Sequence, residues 1–167
     1  MSVNVVWFKR DLRLSDHASL ERAIALGGET LLIYILEPEL VNNAHYRGRH
    51  WQFIAQSLAD MQSALESFGH PLEIVEGNAL DVLALVNEKL SIQTLLSYEE
   101  TGLDVTFQRD LQVSRYCASM GIDWQEFQTN GIQRKRRDRK GWNRSWHRVM
   151  TADCHEVELA ALKTLSF

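Results

Sequence analysis

Cysteine is scarce: Cys117 and Cys154 are the only two in 167 residues, far apart and in no pairing pattern. That excludes a disulfide framework and a cysteine-based zinc site, and it fits a reducing, cytoplasmic setting. No apolar run approaches the ~18 residues that a membrane span needs, so no membrane partner is expected. The first apolar run is cut short by Lys9 and Arg10 and does not read as a signal peptide. The six histidines lie scattered, without ligand spacing, and no metal site is expected. Glycine never falls as Gly-x-Gly-x-x-Gly or in a Walker loop, so the dinucleotide and triphosphate fingerprints are missing. There is no nucleophile elbow, and no histidine–carboxylate group near a candidate nucleophile. The chain offers no catalytic constellation.

What the chain does have is 45% hydrophobic content, enough for one domain with a sizeable core. Its apolar patterns alternate between strand and helix. Residues 3–8 are a run of valine and aromatics around Asn4, the pattern of a strand buried on both faces. Ser15 and Asp16 offer N-caps for a helix carrying Ala18, Leu20, Ala23, Ile24 and Leu26, stopped by Gly27-Gly28. Residues 30–36 form a second buried strand, closed by Glu37-Pro38. A long helix over 48–68 takes Phe53, Ile54, Leu58, Met61 and Leu65 as its buried stripe.

Residues 71–77 read as a half-buried strand near a sheet edge, followed by a helix that Asn78 can cap. A fourth strand over 92–98, a helix over 101–120 ended by Gly121, and an alternating fifth strand over 122–127 complete the pattern. The fold class expected is α/β: a Rossmann-like, doubly wound, five-stranded parallel sheet with helices on both faces.

Open sheets of this kind bind ligands at the carboxyl ends of their strands. The ends of strands one, two and four would gather Lys9, Arg10, Glu37, Tyr98, Glu99 and Glu100 around one crevice, beside Phe8 and Asp11. Such charges also suit a structural role. Arg10, Asp11 and Arg13 can pair to fix the turn, and Glu37 with Arg10 can form an ion pair at the sheet edge. Glu99 and Glu100, being adjacent, point to opposite sides of an extended chain and read as loop and helix-cap charge.

The stretch Trp7-Phe8-Lys9-Arg10-Asp11-Leu12-Arg13-Leu14-Ser15-Asp16-His17 resembles the amino-terminal signature of the DNA photolyase/cryptochrome family, Trp-Phe-Arg-x-Asp-Leu-Arg-x-x-Asp-Asn. Lys9 replaces the commoner Arg, and His17 stands where the family usually has Asn. The resemblance implies an α/β domain that can hold a light-harvesting pigment, followed in full-length members by a helical domain that binds FAD. The cofactor-binding candidates are then Phe8, Lys9, Arg10, Asp11, Glu37, Tyr98 and Glu99, with no catalytic residue in this chain. A deazaflavin, a second flavin, a lumazine, or no antenna at all is compatible with the resemblance. Folate is disfavoured: folate users carry Asn-Glu before an Arg-Asp pair, whereas Val105 and Thr106 precede Arg109-Asp110 here. The function implied is light-dependent repair of pyrimidine dimers, a carbon–carbon lyase activity of the full-length protein, with DNA bound through the flavin domain. A cryptochrome-type photoreceptor domain and a stand-alone nucleotide- or nucleic-acid-binding module are the alternatives.

Residues 1–128 are expected to form the α/β domain. Residues 129–167 are expected to hold a basic segment, a short tryptophan helix and the start of a linker towards the flavin domain. Between Arg134 and Arg148 there are eight Lys and Arg against one Asp, in a chain of net charge −4. Arg134, Arg136, Arg137 and Lys140 are candidate phosphate contacts. Trp142, Trp146 and Met150, at four-residue spacing, form a stripe suited to packing on this or the flavin domain. Residues 156–167 read as weakly helical and poorly anchored.

Overall fold

A computed structural model describes residues 2–134 and 137–167; the candidate Arg136 falls outside the described residues. In chain order the elements are β1 (Val3–Phe8), α1 (Ala18–Leu26), β2 (Thr30–Leu36), α2 (Pro38–Val41), α3 (Gly48–Glu66), β3 (Glu73–Glu76), α4 (Ala79–Leu90), β4 (Ile92–Tyr98), α5 (Asp104–Met120), β5 (Asp123–Phe127) and α6 (Trp142–Met150). The five strands form one parallel sheet in the order β3-β2-β1-β4-β5. β1 is central, and the chain winds outward from it first on one side and then on the other.

That position explains the composition of β1. Successive side chains of a strand alternate between faces, and here both faces are covered. Val3, Val5 and Trp7 pack with Ala79, Val82, Leu83 and Val86 of α4 and Val113 and Cys117 of α5. Val6 and Phe8 pack with Leu20 and Ala23 of α1 and Leu58, Met61 and Leu65 of α3. The buried Asn4 is satisfied by donating its side-chain amide to the Gly27 carbonyl at 2.8 Å. β3, at an edge, alternates between half-buried and exposed residues. The doubly wound parallel sheet expected from the alternating pattern is the observed fold.

Three local expectations fail here, each for a physical reason. Neither Ser15 nor Asp16 caps α1; His17 does, its Nδ1 accepting the Leu20 N–H at 3.2 Å. Asp16 is in the left-handed region at φ 49°, which removes it from the extended conformation an N-cap takes. Phe53 is 67% exposed rather than part of a buried stripe, because the first turns of α3 overhang a cavity; Leu58, Met61 and Leu65 are buried in the core and Ile54 packs part-buried against it. α5 begins at Asp104 rather than 101, since Gly102 lies against the Arg10 guanidinium.

The carboxyl-terminal segment is firmly held rather than loose. β3 pairs with β2 only from Ile33 onward, leaving Thr30 a free edge. Residue 164 takes that edge as a parallel bridge. The Thr30 N–H donates to the Lys163 carbonyl at 2.8 Å, and the Leu165 N–H donates to the Thr30 carbonyl at 3.2 Å. Leu162 is buried, and both ring nitrogens of His70 bond the segment, one to Thr164 Oγ1 and one to the Leu159 carbonyl. Only a 3-10 turn over Leu159–Ala161 is helical there.

Candidate functional site

The turn after β1 delivers its charges into an ion-pair network shared with α5 and β5. Lys9 Nζ donates to the Tyr98 carbonyl at 3.1 Å and to Asp110 Oδ2 at 3.2 Å, and lies 4.4 Å from the Trp7 ring centroid. Burial pulls the Lys9 pKa below its ordinary value, with the Asp110 charge opposing that shift. Arg109 donates to Glu37 through Nη1, and to Asp110 Oδ1 through Nε and Nη2 at 3.0 and 2.9 Å. Burial pushes the Glu37 pKa up against the pull of Arg109. Arg134 closes the network from the basic segment: it donates to Glu126 at 2.9 Å, to Asp110 Oδ2 at 3.1 Å and to the Glu100 carbonyl at 2.9 Å. Asp110 thus holds three cations.

Above this network is a cavity of about 740 Å³, within the range that takes a drug-sized ligand. Its walls come from the ends of β1 and β2, the start of α3 and the lead into α5. Tyr46 and Trp51 stack at 4.9 Å with planes 27° apart and form an aromatic side to the cavity, beside Phe53. Glu100, almost wholly buried, lines it as well. Its Oε2 is 3.3 Å from Arg10 Nε, which balances its charge, yet it accepts no hydrogen bond. That oxygen is sealed from the cavity space and is held by the Arg10 charge.

Of the candidate residues, Phe8, Lys9, Arg10 and Glu37 line this cavity. Asp11, Tyr98 and Glu99 line a separate recess of about 100 Å³ that shares Lys9, Arg10 and Glu100 with it. Asp11 is engaged by the Lys9 N–H at 3.0 Å and by His17 Nε2 at 2.8 Å, and the Tyr98 hydroxyl accepts the Ala18 N–H at 2.8 Å. Sequence reasoning missed the aromatic side, although the density of aromatics and histidines over residues 45–53 was a signal for it. It also set Glu100 aside as cap charge and Arg109 as a mere neighbour of Asp110.

In the basic segment, Arg134 is drawn into the fold while Arg137 and Lys140 are exposed. The Trp142–Trp146–Met150 face of α6 is also exposed at 39, 36 and 52%. Trp146 is seated on Gly131, where an added Cβ would come within 2.1 Å of its ring.

A parallel sheet wound in this order, with a ligand-sized cavity at the carboxyl ends of its strands, defines an α/β domain of the doubly wound class. Residues 4–152 match the family model for DNA photolyase, and the chain belongs to that family. It is 28% identical over 120 residues to cryptochrome-2 of Gallus gallus, covering 72% of this chain and 20% of that protein. To cryptochrome-1 of Macaca fascicularis it is 29% identical over 125 residues, covering 74% and 21%. The chain spans about a fifth of the length of these relatives.

Among solved structures, a class III photolyase from Agrobacterium tumefaciens matches with a TM-score of 0.81 at 21% identity, covering 100% of this chain and 36% of the photolyase. An archaeal photolyase from Sulfolobus tokodaii, solved with two FAD molecules, matches at 0.79 and 20% identity, covering 98% and 38%. The fold is that of the photolyase amino-terminal domain, as the motif around Trp7 implies.

Proposed function

We propose that this chain is the light-harvesting-cofactor domain of a photolyase-like protein. It holds a pigment in the 740 Å³ cavity and passes excitation to a flavin elsewhere in the full-length protein. The observation that carries this reading is the ligand-sized cavity at the ends of β1 and β2 with the stacked Tyr46 and Trp51 on one side. An antenna does not react, so its site needs a dry slot and a few groups that fix orientation. Phe8, Lys9, Arg10 and Glu37 form the base and rim of that slot; Asp11, Tyr98 and Glu99 support it from the adjoining recess. A deazaflavin, a flavin or a lumazine fits this chemistry, and folate is disfavoured by Val105 and Thr106.

The full-length reaction is the light-dependent splitting of pyrimidine dimers in DNA, a carbon–carbon lyase reaction for which the FAD-binding domain supplies the reduced flavin and the DNA contact. Residues 1–128 are the pigment domain, and residues 129–167 carry the way out of it. The exposed Trp142–Met150 face of α6 is the surface that meets the flavin domain. The setting is cytoplasmic; no described helix is long and apolar enough to cross a membrane. Incubating the purified chain with dimer-containing DNA under blue light tests the division of labour. No repair is expected from this chain alone, and dimer splitting by it would overturn the non-catalytic assignment.

A further inference from the structure

The charge of this chain is unevenly placed. Residues 134–148 hold eight Lys and Arg against one Asp in a chain of net charge −4, so the rest of the molecule is acidic. Arg134 is neutralised inside the fold by Glu126 and Asp110. Arg137, Arg139, Arg144 and Arg148 are not. All four are exposed, and none has a side-chain hydrogen bond or an ion pair among the described residues. The one acid among them, Asp138, accepts the Lys140 N–H at 2.9 Å, and α6 itself contains no acidic residue.

The geometry of α6 separates these charges from its aromatic residues. At about 100° per residue, Trp142 and Trp146 lie on one side of the helix and Arg144 and Arg148 on the other. The aromatic side turns to the fold, where Trp146 is seated on Gly131. Arg144 and Arg148, one turn apart, are left on the outer side, and Arg137 and Arg139 precede them in the chain. A membrane surface is a poor match: an interfacial helix needs its apolar side free to enter lipid, and that of α6 is engaged. A row of arginines without acidic partners matches a row of phosphates.

We infer that the outer side of α6 and the loop before it contact the phosphate backbone of duplex DNA. This is a second contact, on the present chain, beyond the one assigned above to the flavin domain, and it is independent of the cavity and its guest. It reads no base, since guanidinium–phosphate pairs position a protein on DNA without carrying sequence. The acidic remainder of the molecule repels the duplex and turns α6 towards it.

Fluorescence anisotropy of an undamaged, labelled duplex of about 20 base pairs, titrated with this chain, tests the contact. Affinity should fall with salt at a log–log slope of about −3 to −4, roughly 0.9 for each phosphate held. The double variant Arg144→Gln/Arg148→Gln should reduce that slope by about 2 and weaken binding about tenfold or more at 50 mM salt. Arg144→Lys/Arg148→Lys, which keeps the charge, should retain the slope, and Arg115→Gln, at an exposed arginine on α5, should change neither quantity. No binding at 50 mM salt, a slope that survives the double glutamine variant, or an equal loss in Arg115→Gln would overturn the assignment. So would tighter binding to phosphatidylserine vesicles than to the duplex. None of these outcomes touches the pigment site.

Discussion

Asp11 and His17 face each other across the turn after β1, Oδ2 2.8 Å from Nε2, with neither side chain reaching solvent. The imidazole does two jobs. Its Nδ1 caps α1 by accepting the Leu20 N–H, which places the proton on Nε2, facing the carboxylate. Phe8 and Tyr98 pack on the ring at 5.1 and 5.0 Å. This pair sets the path of the chain from the sheet into the first helix, and so the direction in which Lys9 and Arg10 leave β1.

Burial alone would raise the Asp11 pKa, but the hydrogen bonds from His17 and from the Lys9 N–H outweigh it and hold the carboxyl below its ordinary 3.8. A depressed carboxyl stabilises the fold above its unfolded pKa, and the contribution is lost as pH falls through the folded value. Asp11→Asn, which cannot accept both the Lys9 N–H and the His17 N–H, should lose about 2–3 kcal/mol at pH 7. Urea melts at pH 7 and pH 3 check this. The gap to the wild type should narrow below pH 3.8, and a gap that widens there would contradict the pairing.

Arg134 is part of the fold, unlike the exposed Arg137 and Arg139 further along the basic segment. Arg134→Gln leaves Glu126 and Asp110 short of a partner and should cost about 1–3 kcal/mol in urea unfolding. Neutralising Arg137 and Arg139, which are exposed, should leave stability within about 0.5 kcal/mol. If the basic segment contacts phosphate, the same pair should also lower the slope of DNA affinity against salt. Equal stability losses in the two variants would contradict this division.

Gly131 is required by packing. In Gly131→Ala the new methyl would overlap the Trp146 indole ring. Faster amide exchange across α6 is expected, with a red shift of tryptophan emission and little change over the sheet. Unchanged exchange in α6 would show that Trp146 is not seated there.

Leu162 and the strand-like pairing at Thr30 fasten the carboxyl-terminal segment. Leu162→Ala should cost about 2–4 kcal/mol of global stability. An effect within experimental error would return residues 156–167 to the status of a loose tail.

The sequence announces the sheet because burial on both faces leaves a run of valines and aromatics that few other structures tolerate. Val3 to Phe8 reads as central for that reason, and the alternation of Glu73 to Glu76 reads as an edge. The charges leaving β1 are equally visible. Their partners are not, because Asp110 is about a hundred residues away in the chain and nothing local reveals that it meets Lys9 and Arg134. The overhang of α3 is hidden for a related reason. Phe53 fits the helical stripe of Leu58 and Met61, and only the placement of α3 over the sheet shows that its first turns run past the core. The tail was misjudged because a single bridge at Thr164 has no periodic signal. His17 as a cap was overlooked because serine and aspartate are the usual residues for that role.

The claim on which the account rests is that the cavity beside Glu100 holds a light-absorbing guest. The most direct test is the absorption spectrum of the purified protein, together with the mass of whatever it releases on denaturation, before and after incubation with a flavin, a deazaflavin and a lumazine. The account predicts a band beyond the tryptophan absorption and one small heteroaromatic molecule per chain, held less tightly when Trp51→Ala removes part of the aromatic side. A protein that carries and takes up no such molecule would contradict it.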